Sequence, residues 1–382
     1  MAARRLRELG FDGVIDLYGD EGAVPYERPE LSKGYVTGRL PFEKLVCLSE
    51  AEAKSLNIEF RLGCPVQHID AQKRSVASDL GVAEYGAIVL ATGGRARSLP
   101  GITAPDADIL TIRSIADADR LAGALGRRGR VAVIGGGWLG LELAATCRAA
   151  GAEVHVYEAA DRLCARVAPP WLSGRLAAIH QSHGVVLHLG GAPQIDSTGA
   201  FVFDGALFRP DLILVAIGMQ ANDRLAADVG IACEDGILVD GAGRTSASGI
   251  YAIGDCARYR HRGNQRRESW QNANASAENV ARAVLDLEPL SEEIDWFWSD
   301  QFDVNIQMLG NCAERSDTVL RSYENGAHEA LFFMDGASFG GCISVDSPAD
   351  IAFAKRVMSR GLVVDRDLIA DPSAKHKDCI KG

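Results

Sequence analysis

Short apolar runs alternate with helix-spaced apolar stripes along this chain as far as Asp295, the pattern of strands and helices in turn. The clearest case is VAVIGGGWLGLELAATCRAAGAEVHVYE, residues 131–158. It predicts a strand over Val131–Ile134, a glycine turn, a helix, a second strand over Val154–Tyr157, and an acid, Glu158, at that strand's end. Other elements follow from the same reading: a helix end at 2–9, a strand over 14–18, a helical run over 106–129 ending in a basic cluster, and a helical run over 271–287. Beyond Asp295 the pattern changes to short alternating strands and a closing helix over roughly 348–360, as expected for a smaller α+β domain.

The pattern also repeats. Gly10 and Val14–Tyr18 correspond to Gly151 and Val154–Tyr157; residues 57–63 correspond to 184–190, and 87–93 to 212–218. Two copies of one nucleotide-binding unit are therefore expected. With the offset set by Gly10 and Gly151, the first copy's strand and glycine turn would fall before Met1. The first unit is thus expected to be shortened by about a dozen residues.

In the second copy each residue of the turn has a physical task. Gly135 allows the tight turn, Gly137 allows backbone to approach a pyrophosphate, and Gly140 allows the helix to pack on the strand. The helix N-terminus offers unpaired N–H groups and the positive end of a dipole. Glu158 would accept from both ribose hydroxyls and repel a 2′-phosphate, which selects NAD over NADP.

Composition narrows the class. A length of 382 residues suggests two or three domains. The formal net charge of −11, from 40 basic and 51 acidic side chains, argues against bulk nucleic-acid binding. No apolar run is long enough for a membrane span and no signal peptide opens the chain, while odd, dispersed cysteines suit a reducing cytoplasm, where the protein is expected. Nine cysteines are scattered with no CxxC and no metal-ligand spacing, so no metal site is expected. Five arginines, Arg258, Arg260, Arg262, Arg266 and Arg267, crowd ten residues that hold no acid.

Seven stretches occur in a telling order: ERPELSK, LATGGRARSLPG, IRSIADADRL, GGGWLGLE, AIGMQAND, TSASGIYAIGD and DWFWSDQ. With them the chain resembles the FAD-dependent, NADH-oxidising ferredoxin reductases of Rieske oxygenase and bacterial P450 systems. The resemblance implies an α/β architecture of two Rossmann-like, glutathione-reductase-type dinucleotide-binding domains plus a C-terminal α+β domain. FAD would be held by 1–105 and 230–291, NAD by 106–229, with 292–382 as the C-terminal domain.

It also implies site residues. Asp20, or Glu21 beside it, would hold the adenosine ribose of FAD, and Arg28 and Lys33 would lie against pyrophosphate and isoalloxazine. Val66 would meet adenine, Thr92, Gly93 and Arg113 would approach the cofactor, and Asp255 would bind the ribityl chain. Trp270 and Ala273 would sit at the flavin ring, with Trp270 counted among the catalytic residues. Gly135, Gly137, Leu139, Gly140, Glu158, Ile217 and Gly218 would contact NAD(H). Glu142 would face the nicotinamide and pair with Lys33. The implied partner is a small [2Fe–2S] ferredoxin, docking at the arginine run, with the reductase a monomer or homodimer. Two alternatives are an oxidase or disulfide reductase of the same fold, which would need a reactive cysteine near the LSK motif, and a flavin-free NAD-binding protein arising from the shortened first unit.

Overall fold

The computed structural model describes residues 1–382 apart from 100–106, 126–128, 197, 292, 314–316, 324–325, 327 and 382. The chain divides into two compact units, Met1–Glu30 with Arg39–Ala96 and Met219–Glu293, and Leu31–Gly38 with Arg97–Gly218 and Ile294–Gly382.

In the first unit, Ile15–Tyr18 pairs in parallel with Ile58–Arg61, and Ile88–Leu90 with Ile250–Ala252. Ile88, Leu90, Ile250 and Ala252 of the second pair join Ile69, Val76, Ile237 and Val239 in one buried cluster. Ser269 caps the helix Trp270–Val284 by accepting the Asn272 N–H at 3.1 Å, a contact worth about 1 kcal/mol. That helix buries Ala277, Val280 and Ala281 on one face. The short helix Ala2–Glu8 is tied to it by an ion pair between Arg5 and Glu278.

The second unit contains a five-stranded parallel sheet in the order Val186–Leu189, Glu153–Glu158, Arg130–Ile134, Leu212–Val215, Asp108–Leu110. Val131–Ile134 and Leu212–Val215 are wholly buried, as continuous apolar runs are when both faces of a parallel sheet are covered. The sheet corrects one sequence expectation. The helical run over 106–129 is instead an edge strand, Asp108–Leu110, followed by the helix Ile115–Leu125. The alanine-rich stretch that follows hides three strand residues whose state is set by backbone pairing with Leu212–Leu214. The cluster at 127–128 lies outside the described residues.

The repeat is visible in both units. After the strands at 58–61 and 186–189 the chain enters a three-stranded antiparallel sheet: His68–Asp70, Ser75–Ser78 and Gly81–Glu84 in the first unit, Gln194–Ile195, Phe201–Phe203 and Ala206–Phe208 in the second.

The C-terminal part of the second unit is an antiparallel sheet ordered Trp296–Gln301, Val304–Gly310, Ser338–Val345, Glu329–Asp335, Thr318–Ser322. The helix Pro348–Arg360 packs on it through Ile351, Phe353, Ala354 and Val357. Pro348 opens the helix, where its missing N–H costs nothing, and Gly361 closes it in a left-handed conformation (φ 59°).

Candidate active site

The glycine turn is built as its sequence requires. Gly135 has φ 108°, and a Cβ on Gly140 would lie 1.9 Å from the Gly135 carbonyl oxygen, so only glycine lets helix and strand approach this closely. A Cβ on Gly137 would meet nothing within 4 Å. The tight contacts thus lie on the packing side, and the backbone at Gly137 faces open space. Gly137 is also the N-cap of the helix Trp138–Ala149, and no side chain caps it, which leaves N–H groups for an anion. Glu158 accepts from Gly136 N–H at 2.7 Å and Ala160 N–H at 2.8 Å. A carboxylate has about four acceptor positions, so Glu158 retains capacity for ribose hydroxyls while its own backbone contacts fix its aim. Leu139 is 37% exposed beside the turn. Ile217 is partly buried at the end of the neighbouring strand, and Gly218, φ 97°, is exposed. These residues fit a dinucleotide.

The helix that begins at this turn carries Glu142 into the interior. Every residue from Gly140 to Cys147 is buried, because one face lies on the parallel sheet and the other on the C-terminal strand, where Trp138 packs against Phe297 at 5.1 Å. Lys33 Nζ lies 3.1 Å from Glu142 Oε1 and 2.9 Å from Asp300 Oδ2. Ser32 donates to Glu142 Oε2 at 2.7 Å and Ser299 donates to Oε1 at 2.6 Å. Thr146, one turn further along the helix, fixes the Ser32 carbonyl at 2.6 Å. The sequence-expected pair of Lys33 and Glu142 is therefore in contact. Burial pushes the Glu142 carboxyl up, and Lys33, Ser299 and Ser32 offset this only in part. Burial works against the Lys33 ammonium, but Glu142 and Asp300 outweigh it and hold its pKa above the ordinary lysine value.

The DWFWSDQ stretch contributes to this site through Ser299 and Asp300, which no local sequence rule assigns to it. Its alternation was the available signal. Ser299 and Gln301 are fully buried on one face of the strand, and Asp300 is on the other, its side chain 41% exposed. Arg113 lies in this unit too, its backbone N–H donating to Asp117 at 3.1 Å.

The expected FAD residues other than Lys33 and Arg113 lie in the first unit. Asp20 is exposed just past the strand Ile15–Tyr18, whereas Glu21 is engaged by Arg28 at 2.6 Å and by the Tyr26 hydroxyl. Burial disfavours the Arg28 charge, yet Glu21, Tyr26 and Asp255 outweigh it and raise its pKa. Thr92 and Gly93 follow the strand Ile88–Leu90, and Asp255 follows its parallel neighbour Ile250–Ala252, so all three stand at C-terminal strand ends, where α/β sheets place ligands. Thr92 is clamped to Asn222 in both directions, at 2.6 and 3.0 Å. Val66 packs partly on the core, Ala273 faces Gly254, and Trp270 is 40% exposed with its N–H on Glu27 at 3.3 Å. This set of acceptors and strand ends fits a flavin dinucleotide.

The arginine run, free of acids in sequence, meets acids in space. Arg258 lies 3.7 Å from Glu234 and 3.8 Å from Asp235, and Arg266 lies 3.3 Å from Asp235 and 2.7 Å from Glu268. Both guanidinium side chains are largely buried, so two of the five charges serve local pairing. Arg260 is exposed, with Arg262 and Arg267 half-buried.

No disulfide joins any of the nine cysteines, and no group of described residues has the makings of a metal site. No helix among the described residues is long and apolar enough to cross a membrane.

The model of the pyridine nucleotide-disulphide oxidoreductase family matches residues 1–277, and the reductase C-terminal model matches 296–380. The ferredoxin–NAD(+) reductase subunit of the benzene 1,2-dioxygenase system of Pseudomonas putida is 33% identical over 393 aligned positions, covering 100% of this chain and 94% of that protein. The ferredoxin reductase for the CYP199A2 system from Rhodopseudomonas palustris superposes with a TM-score of 0.91 at 34% identity, over 100% of this chain and 96% of that one. Putidaredoxin reductase in its covalent complex with putidaredoxin also gives 0.91, at 29% identity over 99% and 94%. With both family models matched and relatives aligned along the whole chain, this protein belongs to the pyridine nucleotide-disulphide oxidoreductase family, in the FAD- and NAD(H)-dependent ferredoxin–NAD(+) reductase branch of oxygenase and P450 systems.

Proposed function

We propose that this chain draws electrons from NADH and delivers them to a small [2Fe–2S] ferredoxin serving a Rieske oxygenase or a P450. The observation that carries the reading is the buried Lys33–Glu142 pair two residues past a dinucleotide glycine turn. FAD, when bound, supplies the conversion of a hydride into two single electrons. The chain's own residues bind and orient. Gly135, Gly137 and Gly140 with the uncapped helix N-terminus take the NAD pyrophosphate, Glu158 takes the ribose, and Leu139, Ile217 and Gly218 border the site.

Glu142 accepts from the nicotinamide side, with Lys33 as its counter-charge. Asp20, Arg28, Val66, Thr92, Gly93, Arg113, Asp255, Trp270 and Ala273 hold and border the flavin. In this reading FAD belongs to 1–105 with 230–291, NAD to 106–229, and 292–382 completes the molecule. No nucleophile is required, in keeping with an LSK motif that no cysteine precedes or follows before Cys47.

The test is purified protein, its visible spectrum, and NADH-dependent reduction of a [2Fe–2S] ferredoxin. Flavin absorbance bleached by NADH with ferredoxin reduction is the expected result. Bound NADH without flavin absorbance would replace this reading with that of a nucleotide-binding protein.

A further inference from the structure

A chain of buried polar groups runs from the NAD-side helix Pro170–Ser182, through the strand Trp296–Gln301, to Glu142. His180 Nε2 lies 3.0 Å from Gln301 Oε1, Gln301 Nε2 lies 2.9 Å from Ser299 Oγ, and Ser299 Oγ lies 2.6 Å from Glu142 Oε1. His180, Gln301 and Ser299 have no exposed surface. His180 Nδ1 has no hydrogen-bond partner among the described residues.

Only one proton order satisfies these contacts. The Gln301 amide nitrogen has no lone pair to offer, so it must donate to Ser299. Ser299 has one proton, which then points to Glu142. Gln301 Oε1 accepts, so His180 must carry its proton on Nε2 and keep the unpartnered Nδ1 bare. The flipped amide would reverse every step. Ser299 would donate to Gln301, its lone pairs would face the Glu142 carboxylate, and His180 would bury an unpaired Nδ1–H, a fault that costs more than an unmet lone pair. The neutral form agrees with burial, which pushes the His180 pKa down to about 4.

The geometry points to His180, Gln301 and Ser299 as positioning residues that order one hydrogen-bond chain and keep Glu142 an ionised, fixed acceptor for the nicotinamide side. Of the other groups facing Glu142, the Asp300 carboxylate acts against its ionisation by competing for Lys33, and the rest act in its favour or stay neutral. Lys33 and Ser32 donate to it, Asp300 shares Lys33 at 2.9 Å, and the nearby Cys164 is held as a thiol because burial pushes its pKa up to about 12. This inference rests on the reading of Glu142 given above and goes beyond the pairing with Lys33.

Ser299→Ala removes the last donor of the chain. Its expected effect is an acid limb of kcat/KM for NADH moved up by about one pH unit, the size of one hydrogen bond to a charged group. Ser299→Thr, which keeps the hydroxyl, should restore the limb. A second readout needs no turnover. In 15N-histidine-labelled protein, the signal lost in His180→Gln should show a neutral Nε2–H ring from about pH 5 to 8.

If Ser299→Ala does not fold, the near-isosteric Gln301→Glu draws the Ser299 proton away from Glu142 and should give the same upward shift. An Nδ1–H or protonated His180, or an unmoved acid limb in Ser299→Ala, overturns the inference. If instead Glu142→Gln leaves NADH kinetics unchanged, the assignment of Glu142 itself fails, and the His180 tautomer still reports on the chain.

Discussion

At the scale of single residues, the proposed function divides the nucleotide chemistry between two acids. Glu158 is half-buried at a strand end and anchored by two backbone N–H groups. A 2′-phosphate there would bring negative charge against a fixed carboxylate. Glu158→Arg should therefore move the kcat/KM ratio of NADH to NADPH toward NADPH by at least about tenfold, since one such contact is worth about 1.4 kcal/mol. Steady-state kinetics with both nucleotides checks this, and equal use of NADPH by the unaltered chain would remove Glu158 from the ribose.

Glu142 differs because it is buried and shares Lys33 with Asp300. A double-mutant cycle of Lys33→Met and Glu142→Gln, read on the rate of flavin reduction by NADH, should give a coupling of about 0.5–3 kcal/mol. Additive effects would take the pair out of hydride transfer.

At the scale of elements, the C-terminal sheet depends on one buried charge cluster. Arg321 donates to the carbonyls of Ile369 at 3.0 Å and Ala374 at 2.6 Å, and to the Tyr323 hydroxyl at 2.7 Å. Asp350, with no exposed surface, accepts from Tyr323 at 2.9 Å, His376 at 2.7 Å and Ser347. The cluster pins the last segment of the chain to the helix Pro348–Arg360 and the strand Thr318–Ser322. Burial works against the Asp350 carboxylate, but His376, Ser347 and Tyr323 hold its pKa below the ordinary value of 3.8.

A depressed carboxylate contributes stability that is present above its unfolded pKa and lost as pH falls through the folded one. Asp350→Asn should therefore cost about 3–5 kcal/mol at neutral pH. That difference from the unaltered chain should shrink as pH falls below 3.8. Urea unfolding followed by circular dichroism at several pH values measures both, and a pH-independent difference would assign the loss to packing alone.

At the scale of the whole molecule, the net charge of −11 opposes approach by an acidic ferredoxin. Local positive charge must then steer the encounter. Of the five arginines in the run, Arg258 and Arg266 are occupied by Glu234, Asp235 and Glu268. Under the proposed docking at this run, the steering role is assigned first to the exposed Arg260. Arg260→Glu with Arg262→Glu should slow ferredoxin reduction at low salt several-fold and flatten its dependence on ionic strength, because steering is screened over about 10 Å at 0.1 M salt. NADH-driven ferricyanide reduction, which needs no protein docking, should change little. Equal losses in both assays would locate the damage at the flavin.

The same charges show where linear reading stops. The glycine turn, Glu158, the repeat and the closing helix Pro348–Arg360 were legible because each is a local rule: steric room at glycine, charge at a strand end, and apolar spacing within one element. The Lys33–Glu142 pair was legible only through a family resemblance, since its members stand far apart in the chain. Asp300 as a second acceptor for Lys33, the order of the His180–Gln301–Ser299 chain and the acids beside Arg258 and Arg266 came from the tertiary structure alone. Burial and hydrogen bonding across elements depend on which surfaces meet, and backbone pairing with distant strands can also override a local helical pattern, as it does at Asp108–Leu110.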